Sequence, residues 1–160
     1  MADSTCEKPP AVSENRRYPP HPILAASVAV MRDGCVLLAS RGRPPGEGLY
    51  SLPGGRVETG ETLAAAALRE LREEVGVEAE VIGRLGWVEF IERDDRGRVR
   101  EHLVVAAHAA IWTAGEPRTG PEAKDVRWMT ERDAADLPVT EGLAAILAEA
   151  FAVSRRAGLA

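Results

Sequence analysis

Gly55-Arg56-Val57-Glu58-Thr59-Gly60-Glu61-Thr62-Leu63-Ala64-Ala65-Ala66-Ala67-Leu68-Arg69-Glu70-Leu71-Arg72-Glu73-Glu74-Val75-Gly76-Val77 is a glycine-rich loop that runs into an acidic segment. From Thr62 to Glu74 it contains no Pro or Gly and is dominated by Ala, Leu, Arg and Glu, the strongest helix formers. Thr59 or Thr62 can cap the start, Glu61 suits the positive end of the helix dipole, and Gly76 stands where a left-handed stop is expected. At about 100° per residue, Ala64, Leu68, Leu71 and Val75 make one apolar stripe, as a helix packed on a sheet requires.

Glu70, Glu73 and Glu74 are related by steps of three and four, which gathers three like charges within one turn. Each close pair costs a few tenths of a kcal/mol in an isolated helix. A hard cation such as Mg²⁺ or Mn²⁺, which takes carboxylate, carbonyl and water oxygens, turns that cost into binding. Gly54 and Gly55 follow Pro53 and allow bare backbone to approach a ligand, so the Gly54 carbonyl is a further candidate ligand.

Taken alone, Glu-x-x-Glu-Glu reads as a solvated helix end. The surrounding spacing changes the reading: Gly55, five residues, Glu61, seven residues, Arg69-Glu70, Leu71, Arg72, Glu73-Glu74, Val75, Gly76, Val77. This pattern resembles the Nudix box at every position, and the wider layout from about Pro22 to Ala152 is similar to that of Nudix hydrolases. The resemblance implies a mixed β-sheet sandwiched between α-helices, an α/β fold that periodicity alone does not identify. It implies that Glu70, Glu73 and Glu74 bind the metal, with Glu70 also the candidate for activating water. Arg69 and Glu61 match positions that hold loop and helix in place, and Gly55 matches the opening glycine.

Elsewhere, 160 residues are enough for one domain with a real core. The net charge of −5 gives no basic footprint for nucleic acid, although a small polyanion can bind metal and local arginines. Cys6 and Cys35 suggest no disulfide framework, and Cys35, in an apolar run, reads as a buried small hydrophobe. With no signal region or membrane-length apolar span, the expectation is a soluble, cytoplasmic protein. Residues 1–20 mix Pro, Ser, Glu and Arg without periodicity and read as a disordered leader; the domain is expected over 21–156, with a frayed tail at 157–160.

Ile23 to Met31 and Cys35 to Ser40 are strand-like and joined by Arg32-Asp33-Gly34, a tight hairpin. Arg41 and Arg43 follow, either as solvated cations or as contacts to substrate phosphate. Residues 43–48 form a loop at the mouth of the site, leading to a short strand at 49–52 in which Tyr50 either stacks on a base or packs in the core. Ala79 to Glu92 and Val99 to Trp112 are long strands around an Asp94-Asp95-Arg96-Gly97 tip, with Gly83 and Gly86 marking a bend or bulge. Trp87, Phe90 and Trp112 read as core or dimer-interface aromatics, so a homodimer is one possibility. His102 and His108 read as structural, and His21 has no partner at ligand spacing.

Residues 113–124 read as a loop. The resemblance places a further carboxylate near the metals from this region, and Glu122 is the candidate. Asp125 to Met129 is a last strand, Thr130 caps a short turn to Ala135, and residues 140–153 form an amphipathic helix with Leu143, Ile146, Leu147, Ala150 and Phe151 on one side.

The implied reaction is Mg²⁺-dependent attack of water on the pyrophosphate of a nucleoside diphosphate linked to another group. The layout around Gly48 to Gly55 and Glu122 to Met129 is similar to the ADP-ribose pyrophosphatase group, which puts ADP-ribose or a nucleotide sugar first. Nucleoside triphosphates, oxidised ones included, are the alternative. A ligand-binding or regulatory module and a purely structural cation site are readings of other classes.

Overall fold

The computed structural model describes residues 17–42 and 46–158. In chain order these form β1 (Ile23–Arg32), β2 (Cys35–Arg41), β3 (Tyr50–Ser51), β4 (Gly54–Arg56), α1 (Leu63–Val75), β5 (Glu78–Arg93), β6 (Val99–Ala114), β7 (Ala123–Thr130), α2 (Glu131–Ala135) and α3 (Leu143–Arg156). The strands make one mixed sheet in the order β3-β2-β1-β6-β5, with β4 pairing β1 and β7 pairing β2. β1 and β6 run parallel at its centre, and the other pairings are antiparallel.

Alternation along the strands divides the apolar side chains between two layers. Val28, Val30, Leu37, Ala39 and Ala110 face α1 and meet Ala66, Ala67, Leu71 and Val75. Ala29, Met31, Val36, Leu38 and Ala107 face the other way and meet Leu143, Ile146, Leu147, Ala150 and Phe151 of α3. Helices therefore cover both faces, and the α/β sandwich expected from the resemblance is the fold observed. At the β1–β2 hairpin, Asp33 and Gly34 both take positive φ, 49° and 73°, which suits the right-handed twist of the flanking strands.

Several local expectations are corrected. Ala64 and Leu68 are only half-buried, whereas Ala66 and Ala67 are fully buried, so the apolar stripe of α1 is rotated from the one expected. Gly54 to Arg56 forms a strand instead of an open loop. Cys35 is half-exposed at the hairpin end. Trp87 is 73% exposed, which removes it from the core. Trp112 is half-buried, lies under the Arg32 guanidinium and donates its Nε1–H to the Gly115 carbonyl at 2.7 Å. The leader expected at 1–20 lies mostly outside the described residues, but Tyr18 is tied down: its N–H donates to the Arg100 carbonyl at 2.8 Å and its hydroxyl to Asp94 at 2.9 Å. Ala157 and Gly158 still close the end of α3 by backbone hydrogen bonds, and residues 159–160 lie outside the description.

Candidate active site

Thr62 caps α1: its Oγ1 accepts from the Ala65 N–H at 3.1 Å. At the other end Gly76, at φ 75°, donates its N–H to the Arg72 carbonyl. Glu61 is not spent on the helix dipole. It lies before the cap and forms a fork with Arg69, whose Nε donates to Oε1 at 2.7 Å and Nη2 to Oε2 at 3.0 Å. The Arg69 guanidinium and a backbone N–H from Glu58 hold the Glu61 carboxyl down at a pKa of about 2, and the carboxylates of Glu61 and Glu70 raise that of Arg69.

Arg69 does more than hold Glu61. Its Nη1 donates to Glu70 Oε1 at 2.8 Å and to Glu73 Oε2 at 3.3 Å, and its Nη2 donates to the Arg56 carbonyl at 3.0 Å. One planar cation thus ties the loop, β4 and two of the three glutamates together, which a point charge on a flexible stem cannot reproduce. It also relieves the repulsion expected between Glu70 and Glu73.

Glu74 is left on the other side of this arrangement. Burial pushes its carboxyl up to a pKa of about 7; Glu70 and Glu122 add to the rise, and the Gly54 N–H, at 3.2 Å from Oε2, and Arg41 oppose it. Beside it, the absence of a side chain at Gly55 makes room for Glu70: a Cβ there would lie 2.3 Å from the Glu70 carboxyl carbon. Gly54 is pressed against β1, where a Cβ would lie 2.4 Å from the Ala26 carbonyl oxygen.

Among the described residues, no three His, Cys, Asp or Glu side chains are grouped to enclose a cation. Glu73 is exposed and turned to Arg69. The donor chemistry nevertheless fits Mg²⁺ or Mn²⁺, because Mg²⁺ commonly takes one or two carboxylates and completes its shell with water and substrate phosphate. Glu74, raised first by burial and then by two neighbouring carboxylates, is the kind of group that a divalent cation stabilises.

Of the remaining candidates, Arg41 and Glu122 lie close enough to act on Glu74 electrostatically, and the Glu122 carbonyl accepts the Gly42 N–H at 3.0 Å. Arg43 lies outside the described residues. Tyr50 is buried in the α3-side core and its hydroxyl donates to Asp125, which leaves its ring little face for stacking on a base. His102 Nε2 lies 3.1 Å from Glu89, and His108 is buried in β6.

Arg56 and Asp125 have surroundings that the sequence does not announce. Arg56, the second residue of the stretch quoted above, has its Nη2 buried without a hydrogen-bond partner among the described residues. Asp125, which accepts from Tyr50 and from Arg127 Nε at 2.6 Å, has its carboxyl held below its usual range, chiefly by the tyrosine hydroxyl. The only available signal for Arg56 was its adjacency to Gly55; nothing in the sequence pairs Asp125 with Tyr50.

The shift at Glu74 has a consequence for stability. Its folded pKa, about 7, lies above the ordinary 4.5, so the folded state binds the proton more tightly. The stability this confers is fully present below about pH 4.5 and is lost as pH rises through 7. Without divalent cation, Glu74→Gln is therefore expected to raise stability at pH 8 by on the order of 2 kcal/mol. Mg²⁺ should raise the parent's Tm more at pH 8 than at pH 5.5. Thermal melts of both proteins at the two pH values, with and without Mg²⁺, check this; equal melting at pH 8 without cation would contradict it.

Known proteins share this fold. The chain is 34% identical over 108 residues to an ADP-ribose pyrophosphatase of Methanocaldococcus jannaschii, covering 68% of this chain and 62% of that protein's length. It is 34% identical over 107 residues to a CTP pyrophosphohydrolase of Escherichia coli, covering 59% of this chain and 77% of the relative. The crystal structure of a MutT NUDIX hydrolase from Burkholderia pseudomallei superposes with a TM-score of 0.68 at 30% identity, covering 82% of this chain and 97% of that one. A model of the NUDIX domain matches residues 21–150, a span that holds the sandwich and the Arg69-centred loop and helix, and the chain belongs to the Nudix hydrolase family.

Proposed function

We propose that this chain hydrolyses the pyrophosphate bond of a nucleoside diphosphate linked to another group, ADP-ribose or a related nucleotide sugar first, with Mg²⁺ or Mn²⁺ as cofactor. The observation that carries the reading is the half-buried Glu74 carboxylate beside Glu70, raised chiefly by burial, against a strand, β4, that carries no side chain at Gly54 and Gly55. Glu70, Glu73 and Glu74 would hold the cation, with the Gly54 carbonyl and Glu122 as further oxygens. The bound cation would neutralise pyrophosphate oxygens and make water more acidic.

The chain's own residues do the rest. Glu70, fixed by Arg69 at 2.8 Å, orients the attacking water and accepts its proton. Glu61 keeps Arg69 in place through its two-point fork. Arg56, whose buried Nη2 has no partner among the described residues, satisfies that group on a phosphate oxygen of the substrate. Arg41, already acting on Glu74, and Arg43 would supply positive charge to the substrate phosphates. Attack at phosphorus needs no covalent intermediate with the protein.

The similarity to the Methanocaldococcus jannaschii ADP-ribose pyrophosphatase supports ADP-ribose as the first reading. The similarity to the Escherichia coli CTP pyrophosphohydrolase supports the second reading, a nucleoside triphosphate cleaved to monophosphate and pyrophosphate. The test is a coupled phosphate-release screen over ADP-ribose, other nucleoside diphosphate sugars, dinucleotides and triphosphates, with and without Mg²⁺ or Mn²⁺. The expected result is cation-dependent turnover, fastest on ADP-ribose. Preference for triphosphates would move the second reading to first place, and a folded protein silent on the whole panel would overturn both.

A further inference from the structure

β5 is the outer edge of the sheet, and on it stands the most exposed large apolar side chain among the described residues, Trp87 at 73%. Edge strands are usually blunted by shortness, Pro, charged side chains or β-bulges. β5 has sixteen residues and neither Pro nor Lys, and although its register against β6 shifts at four points, the run from Trp87 to Glu92 pairs without a break.

The register shows what surrounds Trp87. Trp87 lies opposite Ala106, Glu89 opposite Val104, Ile91 opposite His102 and Arg84 opposite His108, so Arg84, Trp87, Glu89 and Ile91 share the face that carries α1. Leu24 of β1 pairs with Val104 and extends the same face. Leu24 is 46% exposed and Ile91 45%, so α1 leaves this end of the sheet bare.

The charges choose the occupant. Along β5 the exposed sequence on this face runs Arg84, Trp87, Glu89: cation, aromatic, anion. A half-turn about an axis beside Trp87 converts that order into its own complement, placing each arginine opposite the other chain's glutamate and the two indoles together. A patch that is its own complement under two-fold rotation is what an isologous interface requires. Glu89 is available for this, since its side chain remains 63% exposed beside His102.

We infer that a second copy of this chain docks on the edge of β5, the two β5 strands antiparallel, with Trp87 at the two-fold axis and Arg84 paired to Glu89 across it.

The test is sedimentation velocity of the full-length chain between about 1 and 100 μM, with R84E, E89R, the double variant R84E/E89R and Trp87→Glu. All of these positions are exposed, and circular dichroism melts establish that each variant is folded. The expected result is a dimeric parent, at least a hundredfold weaker association in Trp87→Glu and in each single charge reversal, and recovery to within tenfold of the parent in the double variant. A parent that stays monomeric at 100 μM would overturn the inference. So would a dimer indifferent to Trp87→Glu, which would place the contact on another face, or a double variant no better than the singles, which would remove the Arg84–Glu89 pairing.

Discussion

Glu70→Gln and Glu74→Gln should each lower kcat/KM on the preferred pyrophosphate substrate by about 10²–10⁴-fold, the usual contribution of a positioned acid–base or charge-stabilising group. Glutamine keeps the shape and loses the charge, so packing against β4 is preserved. The two losses should differ in kind. Glu70 is positioned by Arg69 through a 2.8 Å hydrogen bond, and its replacement should depress kcat at every cation concentration. Glu74 is the carboxylate whose charge is least compensated, and its replacement should also raise the Mg²⁺ concentration needed for half-maximal rate. Glu73, exposed and turned to Arg69, should give the smallest loss of the three. Steady-state kinetics across a Mg²⁺ series, beside melts of the same proteins, separate these outcomes. If both variants keep more than a tenth of the parent's activity, the chemistry lies elsewhere.

Gly54→Ala should cost about 3 kcal/mol or more, at the upper end of what overpacking does, and lower Tm by roughly 6–12 °C for a domain of this size. The reason is what a Cβ would meet: the Ala26 carbonyl oxygen at 2.4 Å and the Ser27 Cα at 2.6 Å, both backbone atoms of β1. Neither can swing aside, so β4 must move away from β1. Gly55→Ala makes the contrasting case. The three atoms nearest its Cβ would all belong to the carboxylate of Glu70, the carboxyl carbon at 2.3 Å, and a side chain can turn away. The cost then falls on catalysis, with a much smaller change in Tm. Melting curves and kinetics on the pair decide it; equal loss of Tm in both would mean that the two glycines serve the fold alike.

Much of this architecture was written in the chain itself. Leu143, Ile146, Leu147, Ala150 and Phe151 stand at helical spacing and all are buried, because a helix on one side of a sheet needs only its own period to be read. The caps at Thr62 and Gly76 and the turn at Asp33-Gly34 were legible for the same reason: each depends on neighbours in the chain. What was not legible depends on partners distant in sequence. The pairing of Gly54 to Arg56 with Ser27 to Ala25 turns an apparent loop into a strand. The stripe of α1 rotates toward Ala66 and Ala67 because its direction is set by β1 and β2, not by the helix.

The site divides along the same line. The resemblance picked out Glu70, Glu73 and Glu74 together, yet Arg69 holds the first two and leaves Glu74 apart. An arginine beside glycines reads as solvated in the sequence, yet the Arg56 Nη2 is buried. Trp87 was expected in a core or an interface, and no periodicity distinguishes those two environments.

The parallel pairing of β1 with β6 sets the order in which the molecule can assemble. Ile23 to Met31 finds its partner only at Leu103 to Ile111, so the middle of the sheet closes by one of the most distant contacts in the chain. The β5–β6 hairpin, joined by a short tip at Asp94 to Gly97, can form early. During synthesis, by contrast, β1 emerges long before β6, and its apolar residues wait beside β2 and the glycine strand without their main neighbour. Such topology slows the search for the native state and leaves sticky surface exposed while it proceeds. The glutamates of α1 would be synthesised well before the sheet that aims them is complete.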